Sequence, residues 1–231
     1  MTSTKTITVF GVTGTQGSAV ANTFLEIPGW HVNGLIRSLN SAAAQKLAAA
    51  GVELVPADLD DKASLIAAFR NSHAIFAYTD FFSLTKYPNF QDLIATKYAG
   101  KPLYQACMEH EINQGKNIVE AAAEVLAEGS PLEAFVLSTL SYASKWSNGA
   151  IKNLLHFDSK GVIETYLREE QPKLAAITRF LQVGFYMQNV ENPFLLPHKA
   201  TDGVYEFCWP NMDPSTVLTA TYPGRDVGVF V

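Results

Sequence analysis

Cysteine is scarce in this chain of 231 residues, which contains only Cys107 and Cys208. Two cysteines are too few for the disulfide framework of a small secreted domain, and their spacing fits no metal site. Four of the five histidines also lack ligand spacing, so we assign no metal role to them: His31, His73, His110 and His198. We therefore expect a reduced, intracellular protein without a bound metal.

Runs of basic residues are absent as well, since 17 Lys and Arg residues are spread among 22 Asp and Glu residues. Without a basic patch, direct binding of nucleic acid is not expected. No apolar run is long enough to span a membrane, and the polar residues 1–6 do not resemble a secretory signal. We expect a soluble protein of the cytoplasm, with the nucleus as an alternative, and no membrane partner.

Strand patterns alternate with helix patterns along the part of the chain before residue 184. The sequence predicts strands at 7–10, 30–36, 52–56, 73–78, 134–137 and 175–180. Between them it predicts helices at 18–26, 41–50, 61–69, around 115–127 and 155–170, and a loop at 79–97. Such alternation predicts βαβ units, and therefore an α/β fold with a doubly wound parallel sheet. The hydrophobic content of 48% is sufficient for one large domain, or for one domain with a small lobe.

Three glycines stand where the first strand ends and the first helix begins. Gly11, Gly14 and Gly17 allow a positive φ and let backbone N–H groups approach a ligand closely. The helix N-terminus behind them favours a phosphate, because its first N–H groups have no partner within the helix. We therefore predict a dinucleotide diphosphate site in this turn, which also contains Thr13, Thr15 and Gln16.

Arg37 stands at the end of the second strand, about 20 positions after the last glycine, where an NAD site usually carries an acidic residue. A guanidinium pairs with a 2′-phosphate, whereas a carboxylate repels it, so Arg37 and Ser38 predict a preference for NADP(H). Asp58 and Leu59, after the third strand, stand where adenine would lie. Capping of the next helix by Asp58 or Asp61 explains the acidic residues equally well.

The residues after the fourth strand are expected at the same edge of the sheet. Thr79, Asp80 and Phe81 follow that strand directly, and the carboxyl edge of a parallel sheet lines its cofactor cleft. Phe81 and Phe82 either stack in this cleft or close the core, and the sequence does not decide between the two.

Four stretches together resemble the NmrA-like family, which are atypical members of the short-chain dehydrogenase/reductase superfamily. They are the glycine turn with Gln16, the stretch Asp58-Leu59-Asp60-Asp61, the motif His156-Phe157-Asp158-Ser159-Lys160-Gly161, and residues 185–189. The resemblance covers nearly the whole chain, and the His-Phe-Asp-x-Lys motif is its most specific part. It implies an NADP-binding Rossmann domain at 1–183 and a partial substrate or partner lobe at 184–231.

The same resemblance implies catalytic candidates. The superfamily motif is Tyr-x-x-x-Lys; Lys160 matches the lysine, which would bind the nicotinamide ribose, and His156 stands in place of the tyrosine. His156 is then either a general acid or a histidine packed at a helix start. Ser138, placed directly after the fifth strand, matches the catalytic serine or else caps a loop. Tyr142 and Lys145 form a weaker alternative pair, because they are only three residues apart.

Two functions follow from the resemblance. One is an NADP-dependent oxidoreductase that acts on a small carbonyl or conjugated substrate. The other is a catalytically silent NADP(H)-binding redox sensor that regulates a protein partner, such as a transcription factor. Family members also continue beyond residue 231, so we expect a truncated C-terminal lobe whose Val227, Val229, Phe230 and Val231 lack part of their packing partners. Such a patch would favour self-association into a homo-oligomer.

Overall fold

A computed structural model describes residues 4–39, 41–191, 196–206, 215, 217 and 219–231. Cys208 and parts of the predicted 184–231 lobe lie outside these residues. The main sheet contains β1 (Lys5–Val9), β2 (Trp30–Ile36), β3 (Glu53–Pro56), β4 (Ala74–Ala77), β5 (Ala134–Thr139) and β6 (Thr178–Gln182). All neighbours are parallel, in the order β3-β2-β1-β4-β5-β6. The predicted doubly wound α/β sheet is thus confirmed, and its order reverses between β1 and β4, where such folds bind ligands.

Helices cover both faces of this sheet. They are α1 (Thr15–Glu26), α2 (Ala42–Ala49), α3 (Lys62–Phe69), α4 (Phe90–Thr96), α5 (Leu103–Ala127), α6 (Ala143–Trp146), α7 (Leu155–Glu170), α8 (Pro172–Ala176) and α9 (Pro223–Phe230), with 3₁₀ turns at Ser83–Lys86 and Met187–Glu191. None of the helices formed by the described residues is long and apolar enough to cross a membrane.

The central strands β4 and β5 are buried on both faces, as expected for a parallel sheet between two helical layers, whereas the edge strands β3 and β6 are partly exposed. Consecutive residues of β4 illustrate this, since Ile75 packs in one apolar cluster and Phe76 in the other. The first cluster includes Ile118 of α5 and Ile163 of α7, and the second includes Phe24 of α1. Burial on both sides fixes the register of the sheet, and with it the positions of the residues at its carboxyl edge.

The segment at 79–97 is not the plain loop that the sequence predicts. It contains the 3₁₀ turn Ser83–Lys86 and helix α4, and it is anchored by a small apolar cluster that includes Phe81, Leu84 and Tyr98. Both helical pieces are too short to produce a helical period in the sequence, so the prediction of a loop is wrong here.

Helix α5 begins at Leu103, well before the region at 115–127 where the sequence predicts its centre. Its first half carries buried polar residues, among them His110, Glu111 and Gln114, which conceal the apolar period. Position 115, inside this helix, requires glycine because a Cβ there would overlap Ile163 of α7. The glycine therefore permits α5 and α7 to pack closely beneath the sheet.

The sixth strand also lies later than predicted. Residues 172–176 form α8, with Pro172 in its first turn, and β6 begins only at Thr178. Proline at the first helical position is preorganised for a helix, and this overrides the strand propensity of the following apolar residues.

Among the described residues after Gly184, helix α9 packs against α1. The short strands β7 (Phe185–Tyr186) and β10 (Ala220–Thr221) pair in parallel, and β8 (His198–Lys199) pairs antiparallel with β9 (Tyr205–Glu206). Helix α9 lies against α1 so closely that a Cβ at Gly228 would overlap Thr23. The division of the chain at residue 183 stays a prediction.

The expected lack of packing at the last residues is only partly correct. Val227 is 1% exposed in the cluster that includes α1, and Val231 packs partly against it. Val229 and Phe230, by contrast, are 70% and 72% exposed. Val227 therefore lies on the face of α9 that packs against α1, whereas Val229 and Phe230 lie on the face exposed to solvent.

Candidate functional site

The glycine turn joins β1 to α1 at the point where the strand order reverses. Gly11 has a φ of +53°, and a Cβ on it would overlap the Tyr78 hydroxyl. A Cβ on Gly17 would overlap the carbonyl oxygens of Phe10 and Gly11. The positive φ and the Tyr78 ring favour glycine at position 11, and close approach of the backbone requires it at position 17.

Helix α1 begins at Thr15, three residues before the predicted start at Ser18. Gly14 is its N-cap and donates its N–H to the Gly11 carbonyl oxygen at 2.7 Å. No side chain caps this end, so no side-chain oxygen of the N-cap residue accepts the N–H groups of the first turn. This is the arrangement that accepts a phosphate oxygen.

A cleft of about 470 Å³ opens beside the glycine turn. Eight of the predicted cofactor residues line it: Gly11, Thr13, Gly14, Arg37, Ser38, Asp58, Leu59 and Asp80. Six do not line it: Thr15, Gln16, Gly17, Thr79, Phe81 and Lys160; nor do the catalytic candidates His156 and Ser138. The cleft thus unites the residues predicted for the diphosphate, the 2′-phosphate and the adenine.

Arg37 directly follows β2 and is exposed at the wall of the cleft. Its Cζ atom lies 5.7 Å from the centre of the Tyr87 ring, a cation–π contact. Within the described part of the chain, no carboxylate forms an ion pair with Arg37, so its guanidinium donors are available to an anion. Ser38 lines the cleft beside it, and Ser41 caps α2 by accepting the N–H of Ala44 at 3.1 Å.

Asp58 and Asp61 have different roles. Asp61 is the N-cap of α3 and accepts the N–H of Ala63 at 3.0 Å. Asp58 lines the cleft, and its Oδ1 accepts the backbone N–H of Asp60 at 3.0 Å. Capping therefore explains Asp61, while Asp58 and Leu59 remain available at the cleft wall.

Several residues of the cleft wall escaped the sequence analysis. They are Tyr78, Ser83, Lys86, Tyr87 and Gln114, with Ser41 at the start of α2. Tyr78 ends the predicted fourth strand, so the carboxyl-edge rule that selected Thr79 could have found it. Burial, together with smaller contributions from nearby Asp80 and Tyr186, raises the pKa of the Tyr78 phenol to about 12. Its hydroxyl therefore stays protonated near neutral pH.

Lys160 lies in a buried polar network, away from the cleft wall. Its Nζ donates to the Thr79 carbonyl oxygen at 2.6 Å, to Thr79 Oγ1 at 3.0 Å and to Glu111 Oε1 at 2.5 Å. An ammonium has three N–H donors, so all of them are engaged within the chain. The lysine thereby ties α7 to α5 and to Thr79, the second residue after β4.

Glu111 is the central acceptor of this network, and sequence reasoning missed it. Its side chain is fully buried, and it also accepts hydrogen bonds from Thr79 Oγ1 at 2.7 Å and from Ser159 Oγ. A buried carboxylate is tolerated when it is paired and hydrogen-bonded in this way. A glutamate in the polar first half of α5 gives no local sequence signal for such a role.

The His-Phe-Asp-x-Lys motif connects several parts of the fold. Asp158 Oδ1 accepts the backbone N–H of Ser144 at 2.9 Å and so holds the start of α6. Gly161 allows Tyr142 to pack against α7, because a Cβ there would overlap the tyrosine. Asp158 and Gly161 of the motif therefore stabilise the packing of α6 and Tyr142 against α7, in addition to the hydrogen bonds that Lys160 makes.

His156 lies one turn before Lys160 on α7 and is exposed. Its ring contacts the edges of Phe81 and Phe157, with ring centres 5.9 and 4.9 Å apart. Partial burial lowers the pKa of His156, with Lys160 adding to the decrease and Glu111 opposing it. The imidazole is therefore neutral near pH 7. Both alternatives of the sequence analysis remain, since His156 is packed on an aromatic ring and is also reachable from solvent.

Phe81 is buried and closes a small core with Leu84, Tyr98 and Cys107, whereas Phe82 is exposed. Phe81 also stacks on the ring of Tyr104 at 6.3 Å. The two phenylalanines thus take different positions, and neither lines the cleft.

Ser138 lies within β5, where it is buried and pairs in register with Leu181 of β6. The prediction that it follows the strand is wrong, because pairing with β6 extends β5 to Thr139. No hydrogen bond between described residues joins its side chain to Lys160 or His156. Lys145 of the alternative pair is exposed and contacts the Tyr142 ring at 5.8 Å, outside the cleft.

Gln16 connects the glycine turn to the C-terminal segment. Its Nε2 donates to the Tyr186 hydroxyl at 2.6 Å. Its buried Oε1 has no hydrogen-bond partner among the described residues. Gln16 and Tyr186, both of which belong to the stretches that resemble the NmrA-like family, therefore meet beside the turn.

Curated relatives share the sequence across most of this chain. The NmrA-like family domain-containing oxidoreductase hkm9 of Aspergillus hancockii is 31% identical over 186 residues, which cover 80% of this chain and 48% of that protein. The corresponding oxidoreductase notA of Aspergillus sp. (strain MF297-2) is 31% identical over 162 residues, which cover 70% and 41%. The chain thus spans about half the length of the curated relatives it matches.

Solved structures share the fold. The negative transcriptional regulator NmrA in complex with NADP superposes with a TM-score of 0.71 at 24% identity, covering 99% of this chain and 60% of that one. The quinone oxidoreductase QOR2 of Escherichia coli complexed with NADPH has a TM-score of 0.55 at 19% identity and covers 81% and 52%. At these identities the likeness shows the fold alone.

The glycine turn, the motif around Lys160 and the segment with Tyr186 all lie within the stretch that the sequence model of the NmrA-like family matches. That match extends over residues 3–231, nearly the whole chain. Because this match includes the sheet, the cleft and the C-terminal segment, the chain belongs to the NmrA-like family.

Proposed function

We propose that this chain binds NADP(H) and forms the cofactor domain of an oxidoreductase that acts on a small carbonyl or conjugated substrate. The observation that carries the proposal is Arg37, an arginine without a carboxylate partner among the described residues, on the wall of a cleft whose floor is a glycine turn. A dinucleotide with a 2′-phosphate needs both features.

The cleft residues fit the parts of this cofactor. The backbone of the glycine turn and the start of α1 would hold the diphosphate, and Arg37 with Ser38 would hold the 2′-phosphate. Asp58 and Leu59 would lie beside the adenine. When bound, the cofactor supplies the hydride of the reaction.

His156 is our candidate for the proton of the reaction. It is exposed, and it is neutral near pH 7 because partial burial lowers its pKa. A neutral imidazole can relay a proton to the substrate, because it releases the proton of one ring nitrogen while the other takes one from water. Lys160, whose donors hold Thr79 and Glu111, would position the segment after β4, and it contacts the nicotinamide ribose only if it releases one of them. The names of the curated relatives, which are oxidoreductases, support this proposal.

A second candidate function is a redox sensor that binds NADP(H) without turnover and regulates a protein partner, such as a transcription factor. Lys160 favours it, because all three of its donors are engaged within the chain. The solved structure of NmrA is described as that of a negative transcriptional regulator, which supports this candidate. We propose the cytoplasm for the oxidoreductase, and the nucleus as the alternative for a sensor of a transcription factor.

Exchange of Arg37 tests the cofactor proposal. The variant Arg37→Asp should weaken NADP(H) binding by at least about 1.5 kcal/mol, measured by calorimetry, because a charged hydrogen bond becomes a repulsion. NAD(H) binding should change much less. Arg225→Asp, the same charge change at an exposed position outside the cleft, is the matched control. Equal affinities of the unmodified protein for the two cofactors would contradict the role of Arg37.

Turnover separates the two functions. We expect NADPH consumption with at least one member of a carbonyl and enone panel, and a decrease of roughly 10²–10⁴-fold in His156→Phe. His156→Tyr restores the superfamily residue and should retain activity, since a phenol is also a competent acid. Tight NADP(H) binding without consumption of any panel member would favour the sensor.

A further inference from the structure

Tyr87 belongs to the segment after β4, yet it contacts residues from the other half of the sheet. Strand β4 pairs with β1, and β2 and β3 lie beyond β1. The Tyr87 side chain nevertheless contacts Arg37, which directly follows β2, and Asp60, which follows β3. The segment after β4 therefore reaches past β1, and it places an aromatic ring at the wall of the cofactor cleft where Arg37 lies.

The position of Tyr87 is fixed by its backbone, its ring and its hydroxyl. Its N–H donates to the Leu84 carbonyl oxygen at 3.3 Å, and its carbonyl oxygen accepts the N–H of Phe90 at 3.1 Å. The buried His110 ring contacts the tyrosine ring at a right angle, with centres 5.7 Å apart. The hydroxyl donates to Asp60 Oδ2 at 2.6 Å. Burial and this hydrogen bond raise the pKa of the Tyr87 phenol, so the O–H is retained near neutral pH.

Arg37 has no comparable anchor of its own. It is exposed, and no hydrogen bond or ion pair with another described residue engages its guanidinium. Its Cζ atom lies 5.7 Å from the centre of the Tyr87 ring, and cations within about 6 Å of a ring centre are attracted by the face of the ring. The ring attracts the charge without accepting the N–H groups as a carboxylate would. The donors of Arg37 therefore remain available to a phosphate.

Carboxylates near the ring compete for Arg37. Asp60 and Asp58 are close enough to Tyr87 to raise the pKa of its phenol, and Arg37 is close enough to lower it. An arginine without an anchor can turn toward such a carboxylate, and its donors are then lost to the cofactor. It also loses side-chain entropy when an anion finally orders it. A ring that holds the guanidinium at the cleft wall reduces both losses.

We propose that Tyr87 is a positioning residue for the 2′-phosphate of the cofactor: its ring, held by Asp60, keeps the Arg37 guanidinium at the cleft wall and so increases the preference for NADP(H) over NAD(H). This role rests on the proposed function, because it requires that Arg37 bind the 2′-phosphate. Tyr87 itself acts through Arg37 and needs no contact with the phosphate.

Removal of the ring tests this role. Tyr87→Leu should weaken NADP(H) binding by about two- to fivefold, the range expected for an exposed cation–π contact, and should change NAD(H) binding less. Calorimetry with both cofactors gives the ratio of the two affinities. Tyr205→Leu is the matched control, because Lys199 lies 5.8 Å from the centre of the exposed Tyr205 ring, outside the cleft. This control should leave the ratio unchanged.

Two further variants separate the ring face from general packing. Tyr87→Phe keeps the ring and loses the hydrogen bond to Asp60, so it should retain most of the preference that Tyr87→Leu loses. Arg37→Met removes the guanidinium, and adding Tyr87→Leu to it should not change the ratio further, because the two residues act together. A mere loss of packing would instead weaken both cofactors with or without Arg37.

A measurement without cofactor tests the contact separately. In NMR spectra of the unmodified protein, the Arg37 Nε–H signal should carry the ring-current shift of Tyr87 and differ from the signal of the exposed Arg225. The Arg37 signal should move in Tyr87→Leu and stay in Tyr205→Leu. Because the first comparison needs no variant, it tests the contact even if Tyr87→Leu fails to fold.

Three results would overturn the role of Tyr87. One is an unchanged ratio in a folded Tyr87→Leu variant while Arg37→Asp still weakens NADP(H) binding, and the proposed function then stands without Tyr87. Another is an equal loss of affinity for both cofactors, which would mean that the ring contacts their shared part. The third is an Arg37 Nε–H signal without a ring-current shift. Equal affinities of the unmodified protein for the two cofactors would instead overturn the proposed role of Arg37, and that of Tyr87 with it.

Discussion

Replacement of Lys160 by methionine should lower the free energy of unfolding by about 3–5 kcal/mol, the cost of breaking a buried ion pair by removing one partner. The magnitude follows from the burial, since the Glu111 side chain is 0% exposed and that of Lys160 is 14% exposed, with 2.5 Å between Nζ and Oε1. A surface pair would contribute only about 0–1 kcal/mol. Methionine keeps most of the length of the side chain, so the change removes charge and donors rather than volume.

Urea unfolding, followed by a spectroscopic signal and extrapolated linearly to water, measures this loss. Lys152→Met is the control, because Lys152 is exposed in the segment before α7 and forms no ion pair with a described residue. It should change the free energy of unfolding by less than about 0.5 kcal/mol. Glu111→Gln should destabilise the protein like Lys160→Met, and the double variant should cost less than the sum of the two, because the charges are then removed together.

A cost of less than about 1 kcal/mol for Lys160→Met, the value for a surface lysine, would contradict a buried ion pair, and so would strict additivity of the two substitutions. The result also governs how turnover is interpreted. If Lys160 variants lose stability, any loss of NADPH consumption must be compared at equal amounts of folded protein. Only a loss beyond that comparison indicates that Lys160 has a role in the reaction itself.

Four further predictions concern other parts of the molecule. Gly17→Ala should destabilise the protein, because its Cβ would overlap two carbonyl oxygens, whereas Gly224→Ala, with open space around it, should be neutral in the same thermal unfolding assay. Tyr78 has a pKa raised to about 12, so the stability due to its neutral phenol is complete below pH 10 and is lost as the pH rises toward 12. Unfolding midpoints at pH 9–12 should therefore fall less steeply in Tyr78→Phe. Tyr186→Phe should cost about 1 kcal/mol in urea unfolding by removing the hydrogen bond from Gln16, and Tyr205→Phe, at an exposed ring, should cost less. Self-association measured by sedimentation should decrease in Phe230→Ser, because Phe230 is exposed beside Val229; an unmodified protein that is monomeric at high concentration would contradict this.

The alternation of strands and helices along the chain was predictable because it depends on local sequence patterns. The central strands β4 and β5 are buried on both faces and so appear in the sequence as short apolar runs, as in residues 74–77. The glycine turn was predictable for the same reason, since Gly11, Gly14 and Gly17 are close together in the sequence. The position of Arg37 at the cleft was predictable by counting about 20 positions from that turn.

The parts that escaped prediction depend on distant residues or on short helices. Glu111 meets Thr79 and Lys160 from 32 and 49 positions away, and nothing near it in the sequence indicates a partner. The roles of Phe81 and Phe82 could not be separated, because burial of the first depends on Tyr98 and Cys107 of later elements. Helices α4 and α8 have only seven and five residues, too few for a helical period to be recognised.

The segment after β4 is where these separate observations meet. Lys160 holds Thr79 at its start, Phe81 and Leu84 anchor its middle in a small core, and Tyr87 at its end lines the cofactor cleft. The sheet fixes this segment only through β4, so its position depends on α5 and α7, which supply Glu111 and Lys160. Since Asp80, Lys86 and Tyr87 line the cofactor cleft, the buried ion pair determines one wall of that cleft without touching it. In an oxidoreductase, such a wall would keep the substrate in place beside the cofactor. In a sensor, it would transmit the binding of the cofactor in the cleft to the protein surface. In both cases, the network around Glu111 is the contact through which α5 and α7 hold the start of this wall.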